Sequence, residues 1–113
     1  MSVNEKIEQA LKGVTASIWL LVCPEERKPN EYIVYNPVLE EALSYADDED
    51  QEWVQYMQVH LFAKGNYTRK RKEIRRRLRT AGFVVTDIDI MYENDTGYYH
   101  LAFSCHIEEE GVQ

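Results

Sequence analysis

Apolar and polar residues along this chain follow two periods, and the switches between them delimit its elements. From Val3 to Leu11 the apolar positions Val3, Ile7, Ala10 and Leu11 recur on one helical face, and Gly13 follows the last turn. This is the period of a short amphipathic helix. Thr15–Cys23 is an almost continuous apolar run between Gly13 and Pro24, the pattern of a strand buried on both faces. Tyr32–Tyr35 is a short strand that Asn36-Pro37 is expected to stop, after the polar loop Pro24–Glu31. Glu40–Glu52 holds seven carboxylates and is predicted to be an exposed connection, with a helical turn near Val38–Tyr45. Period-2 patterning resumes in Trp53–Ala63. There Trp53, Gln55, Met57, Val59 and Leu61 share one side, and Val54, Tyr56, Gln58, His60 and Phe62 the other, so both faces are at least partly covered.

Helical spacing returns over Asn66–Ala81, where Tyr67, Arg71, Ile74, Leu78 and Ala81 form a narrow docking stripe. Asn66 or Thr68 is placed to cap the first turn, and Gly82 sits where a left-handed residue ends a helix. Two more strands, Phe83–Tyr92 and Tyr98–Glu108, flank the turn Glu93–Gly97 as an antiparallel hairpin. In the last strand Tyr99, Leu101, Phe103, Cys105 and Ile107 point inward. The order α-β-β-β-α-β-β describes a single α+β domain over residues 1–113, with a mainly antiparallel sheet, helices packed on it and a frayed tail from 108. An alternative for the step around Lys64–Gly82 places its two strands side by side and parallel. A length of 113 residues, 44% apolar and 12% aromatic, suits one folded domain.

Charge changes this picture. Nine of the thirteen Lys and Arg residues lie between Lys64 and Arg79, with Glu73 as the only acid among them, in a chain whose net charge is −7. Cations in the first turn of that helix oppose its dipole, at a cost of about a few tenths of a kcal/mol each. Such a segment calls for anionic neighbours. We assign the interface to Arg69, Lys70, Lys72, Arg75, Arg76 and Arg79, meeting the acids Asp47, Asp48, Glu49 and Asp50 of an identical subunit or a partner protein. The rival is a nucleic-acid-binding module using the same helix on phosphates. The overall acidity, and the lack of a base-reading motif or interleaved aromatics, disfavour it.

Catalysis draws little support. Phosphate-loop, dinucleotide, nucleophile-elbow and zinc-protease motifs are all missing, so no catalytic, cofactor or metal residue is assigned. His100 and His106 lie six apart on one strand, about 20 Å from each other, too far to share a metal; His60 is able to meet one of them across strands. Asp87, Asp89, Glu93 and Asp95 are ascribed to turn formation and solvation. Cys23 and Cys105 lack CxxC spacing and are expected to be buried, reduced thiols of a cytoplasmic protein. No apolar run approaches the ~20 residues of a membrane span, so no membrane role is expected. The chain is expected to be soluble and intracellular.

Several phrases of the sequence, taken together, resemble the tail-terminator (tail-completion) proteins of long-tailed phages and prophages. They are the strand Trp53–Ala63 with the Lys64-Gly65-Asn66-Tyr67 turn, the charged helix ending Ala81-Gly82-Phe83, and Tyr92-Glu93-Asn94-Asp95-Thr96-Gly97-Tyr98-Tyr99-His100 with a closing strand to Glu108-Glu109-Glu110. The resemblance covers roughly residues 32–110. It implies a non-enzymatic virion protein forming a hexameric ring that caps the tail tube, stops its polymerisation and faces the head-tail connector. The implied partners are copies of itself, the tail tube protein and the connector protein. Location would be the host cytoplasm during assembly and then the virion tail. Head-completion or connector proteins of similar size are the alternative within the same class.

Overall fold

A computed structural model describes residues 1–43 and 52–110. The elements are α1 (Val3–Leu11), β1 (Ile18–Leu20), β2 (Glu31–Ala42), β3 (Glu52–Ala63), α2 (Thr68–Thr80), β4 (Val84–Tyr92) and β5 (Tyr99–Glu110), in the order the periodicity predicts. They form one five-stranded sheet of order β1-β2-β3-β5-β4, antiparallel except where β1 pairs with β2. β3 and β4 are parallel to each other, since both run antiparallel to β5. They are not side by side, because β5 is inserted between them.

Both helices sit on one face. Ile7 and Leu11 of α1 and Ile74 and Leu78 of α2, all fully buried, join Ile33, Tyr35, Val59, Leu61, Leu101 and Phe103 in the main core. The inward set predicted for β5 is therefore the set that packs. α1 starts with a reciprocal cap: the Glu5 N–H donates to Ser2 Oγ at 3.2 Å and the Ser2 N–H to Glu5 Oε1 at 3.1 Å. The hydroxyl of buried Tyr35 donates to Glu8, pinning the outer face of α1 to β2. A smaller cluster of Cys23, Tyr32, Val34 and Tyr98 covers part of the other face. The Tyr98 hydroxyl anchors the loop before β2 by donating to the Pro29 carbonyl at 2.6 Å.

Three expectations need correction. Thr15–Cys23 is not a strand buried on both faces: only Ile18–Leu20 pairs, and Leu20, Leu21 and Val22 are exposed. The cause is a γ-turn at Leu21 (φ 70°), closed by Val22 N–H to Leu20 C=O at 2.8 Å, which turns the chain off the sheet edge. Nor does Asn36-Pro37 stop β2, which continues through Ala42 where a helical turn was expected. Pro37 lacks an N–H, but β1 pairs only with Ile33–Tyr35, so β2 has a free edge at Pro37 and a bulge between Pro37 and Leu39 absorbs the irregularity. Finally, Glu108 and Glu109 are not frayed; they pair with Val54 and Trp53. Among the described residues no helix is long and apolar enough to cross a membrane.

Candidate interaction surface on helix α2

Thr68–Thr80 is helical despite its charge because Ile74 and Leu78 are wholly buried and both ends are closed. Asn66 Oδ1 accepts from the Thr68 N–H at 3.0 Å. At the other end the N–H groups of Gly82 and Phe83 donate to the carbonyls of Arg79 and Leu78, both at 3.0 Å, around Gly82 at φ 100°. This pair of bonds needs a left-handed residue, the role glycine fills.

The fold separates the nine cations into two groups. Lys70 reaches the Val14 carbonyl and lies 3.6 Å from Glu31, tying α2 to the α1–β1 loop and to β2. Arg77 lies 3.2 Å from Glu73 one turn back and donates to the Ala10 and Lys12 carbonyls at 3.3 and 2.8 Å, closing the end of α1. Arg71 is partly buried, and its Nε has no hydrogen-bond partner among the described residues. Lys64 stands over the Tyr98 ring, 4.8 Å from its centre. Arg69, Lys72, Arg75, Arg76 and Arg79 are exposed, and no acid among the described residues forms an ion pair with them. Positions 69, 72, 76 and 79 advance by three and four, so they make one stripe along the helix, with Arg75 beside it. Five of the six basic residues assigned to the interface thus lie together; Lys70 is engaged within the fold.

The assigned acids Asp47, Asp48, Glu49 and Asp50 lie outside the described residues. Other acids are gathered where β2, β3 and β5 end together: Glu40, Glu41, Glu52 and Glu108 are exposed there. One feature that sequence reasoning missed is a groove of about 570 Å³ between the helices, lined by Met1, Lys6, Gln9 and Ala10 on one side and Arg76, Arg77, Thr80 and Ala81 on the other. It joins segments some seventy positions apart, so no local pattern announces it; its only trace is the small residues Ala10 and Ala81.

The sheet face opposite the helices carries a polar chain. His60 Nε2 lies 3.1 Å from Asn36 Oδ1, and His60 Nδ1 lies 2.8 Å from His100 Nε2. An amide oxygen only accepts, so His60 donates from Nε2 and receives at Nδ1 the proton of His100 Nε2. His100 Nδ1 then faces the Glu93 carboxylate at 3.8 Å. Burial lowers the pKa of His60, helped by the charge of His100. Burial also lowers that of His100, against the opposing pull of Glu93. The two imidazoles bond to each other rather than converge on a common point, and no group of three or more ligating side chains occurs among the described residues. Asp87, Asp89 and Asp95 are exposed, and Glu93 accepts from the Thr96 hydroxyl at 2.7 Å to brace the hairpin turn. Cys23 and Cys105 are both free and buried, and burial pushes the Cys105 thiol up to about 12.

No protein-family model matches this chain, and no curated protein matches it in sequence. Among solved structures it is similar to a chain of a structure described as "Virion of native gene transfer agent (GTA) particle". The TM-score is 0.68 at 10% identity, over 97% of this chain and 96% of that one. At that identity the likeness is one of fold, from end to end of both chains.

Proposed function

We propose that this chain is a non-enzymatic virion assembly protein of the tail-terminator kind. It would form a six-membered ring that caps the tail tube, stops its growth and presents a surface to the head-tail connector. The observation that carries this reading is the stripe Arg69, Lys72, Arg75, Arg76 and Arg79, exposed and unpaired among the described residues, on a fold shared with a chain from an assembled virion. Five like charges along one helix repel one another, and an anionic protein surface relieves that repulsion on contact. The −7 chain supplies acids in excess, so a copy of itself is a suitable source. A basic patch meeting a different, acidic patch is a heterologous contact, which closes into a ring when the rotation allows. The long-range field steers the encounter more than it sets final affinity.

The stripe also favours a second reading, in which phosphates of nucleic acid occupy it. Polymerising tail-tube subunits with this chain present in small amounts separates the two. Tubes should stop elongating, and Arg75→Glu with Arg76→Glu should abolish the effect. Tubes that grow to the same length with or without the protein, together with a duplex-DNA mobility shift at physiological salt, would overturn the ring in favour of the phosphate reading.

A further inference from the structure

The cationic stripe borders a groove, and the same chain carries a surface of matching chemistry that does not reach it. Where β2, β3 and β5 end, Ala42 pairs with Trp53 and Trp53 with Glu109, while Glu41 and Glu108 flank Val54 in the next rung. Successive side chains on a strand alternate in direction, so Trp53 stands on the helix side and Glu41 on the other. Trp53 is 37% exposed and Leu43 48% exposed, an apolar tip among exposed carboxylates. No residue of this tip lines the groove between α1 and α2 of its own chain. That groove combines small residues, Ala10 and Ala81, with cations on its rims, Lys6 and Arg76. Small side chains leave room for a ring, and a guanidinium beside an indole adds a cation–π contact. A lone aromatic in a desolvated pocket bordered by charge pairs is the usual make-up of an interface hot spot.

We infer that the groove between α1 and α2 receives the β2–β3 sheet end of a second copy, with Trp53 as the anchor and Glu41 and Glu52 set against Arg76 and Arg79. This rests on the ring reading and names the segment that the basic stripe meets. Groove and tip are different patches, with Trp53 and Leu43 lining no part of the groove, so each copy uses one of each and the contact propagates around a ring.

The test is positional. Leu43→Cys protein is mixed with Gln9→Cys protein on tail tubes and oxidised mildly; a disulfide-linked dimer is expected in the mixture and in neither variant alone. Trp53→Ala, checked for an unchanged melting curve, should raise the concentration needed for ring formation at least tenfold. Arg76→Glu should block rings, and adding Glu41→Lys in the same chain should restore them. Rings that form without the cross-link, with Trp53→Ala matching the unaltered protein, would overturn this docking while leaving the ring intact. An unaltered chain that stays monomeric even on tubes would remove the ring and this contact with it.

Discussion

His60 and His100 are both held toward the neutral form, chiefly by burial between β2, β3 and β5. Phe62 stacks on His100 with ring centres 4.3 Å apart, and the neighbouring polar groups are Asn36 and Glu93. One proton is accommodated best at His100 Nδ1, beside Glu93, because the bond from His100 Nε2 to His60 Nδ1 survives. A second proton, on His60, sets two donors face to face and breaks that bond. A histidine whose folded pKa lies below its unfolded value of 6.5 takes up fewer protons in the fold than in the unfolded chain. Its favourable contribution is complete above pH 6.5 and is lost as pH falls from there through the lower folded value. Melting temperature should therefore drop between pH 7.5 and pH 5, and His60→Gln should shrink the drop by removing one titrating group. An identical pH profile in the variant would show that other groups set the acid sensitivity.

At the level of elements, helix α2 was legible almost whole. Ile74 and Leu78 at helical spacing and Gly82 after the end play the parts their chemistry suggests. The N-cap position, however, falls to Tyr67, which makes no side-chain cap bond, and Asn66 reaches the Thr68 N–H from one residue further out. Strands β3 and β5 were legible from period-2 patterning over twelve residues, and β4 from the short Glu93–Gly97 turn that joins it to β5. β1 and β2 were not. An exposed γ-turn at Leu21 leaves no apolar signature, and Pro37 is acceptable only because the neighbouring strand ends two residues earlier, a fact of tertiary pairing. Buried and exposed residues separate cleanly on α2. Leu78→Ala should cost about 3 kcal/mol in urea unfolding, from lost burial and the cavity left behind. Arg75→Glu on the exposed stripe should change stability by no more than about 0.5 kcal/mol. A large loss from Arg75→Glu would mean that the stripe serves the fold.

For the molecule as a whole, sequence showed the polarity but not its geometry. Composition located nine cations, while the structure decides that Lys70 and Arg77 are bound into the fold and that five others face outward. That division depends on where α1 and β2 pass, and no spacing within the basic segment records it. The groove beside the stripe is hidden from sequence for the same reason. The molecule measures 51 × 25 × 24 Å, its twelve-residue strands setting the long axis, so acids at the sheet end and cations on the helix face are distinct surfaces. A protein with two complementary surfaces and a net charge of −7 associates more readily in direct contact than its net charge suggests, and more weakly as salt rises.

The central claim, a ring at the end of a tube, is tested most directly by the mass of the assembled species. Light scattering of the 13.3 kDa chain, across a concentration series at low and physiological salt and with purified tail tubes, should reveal six copies, about 80 kDa, in solution or one such ring per tube end. A chain that remains a 13.3 kDa monomer under every one of these conditions, and leaves tube ends bare, would contradict it.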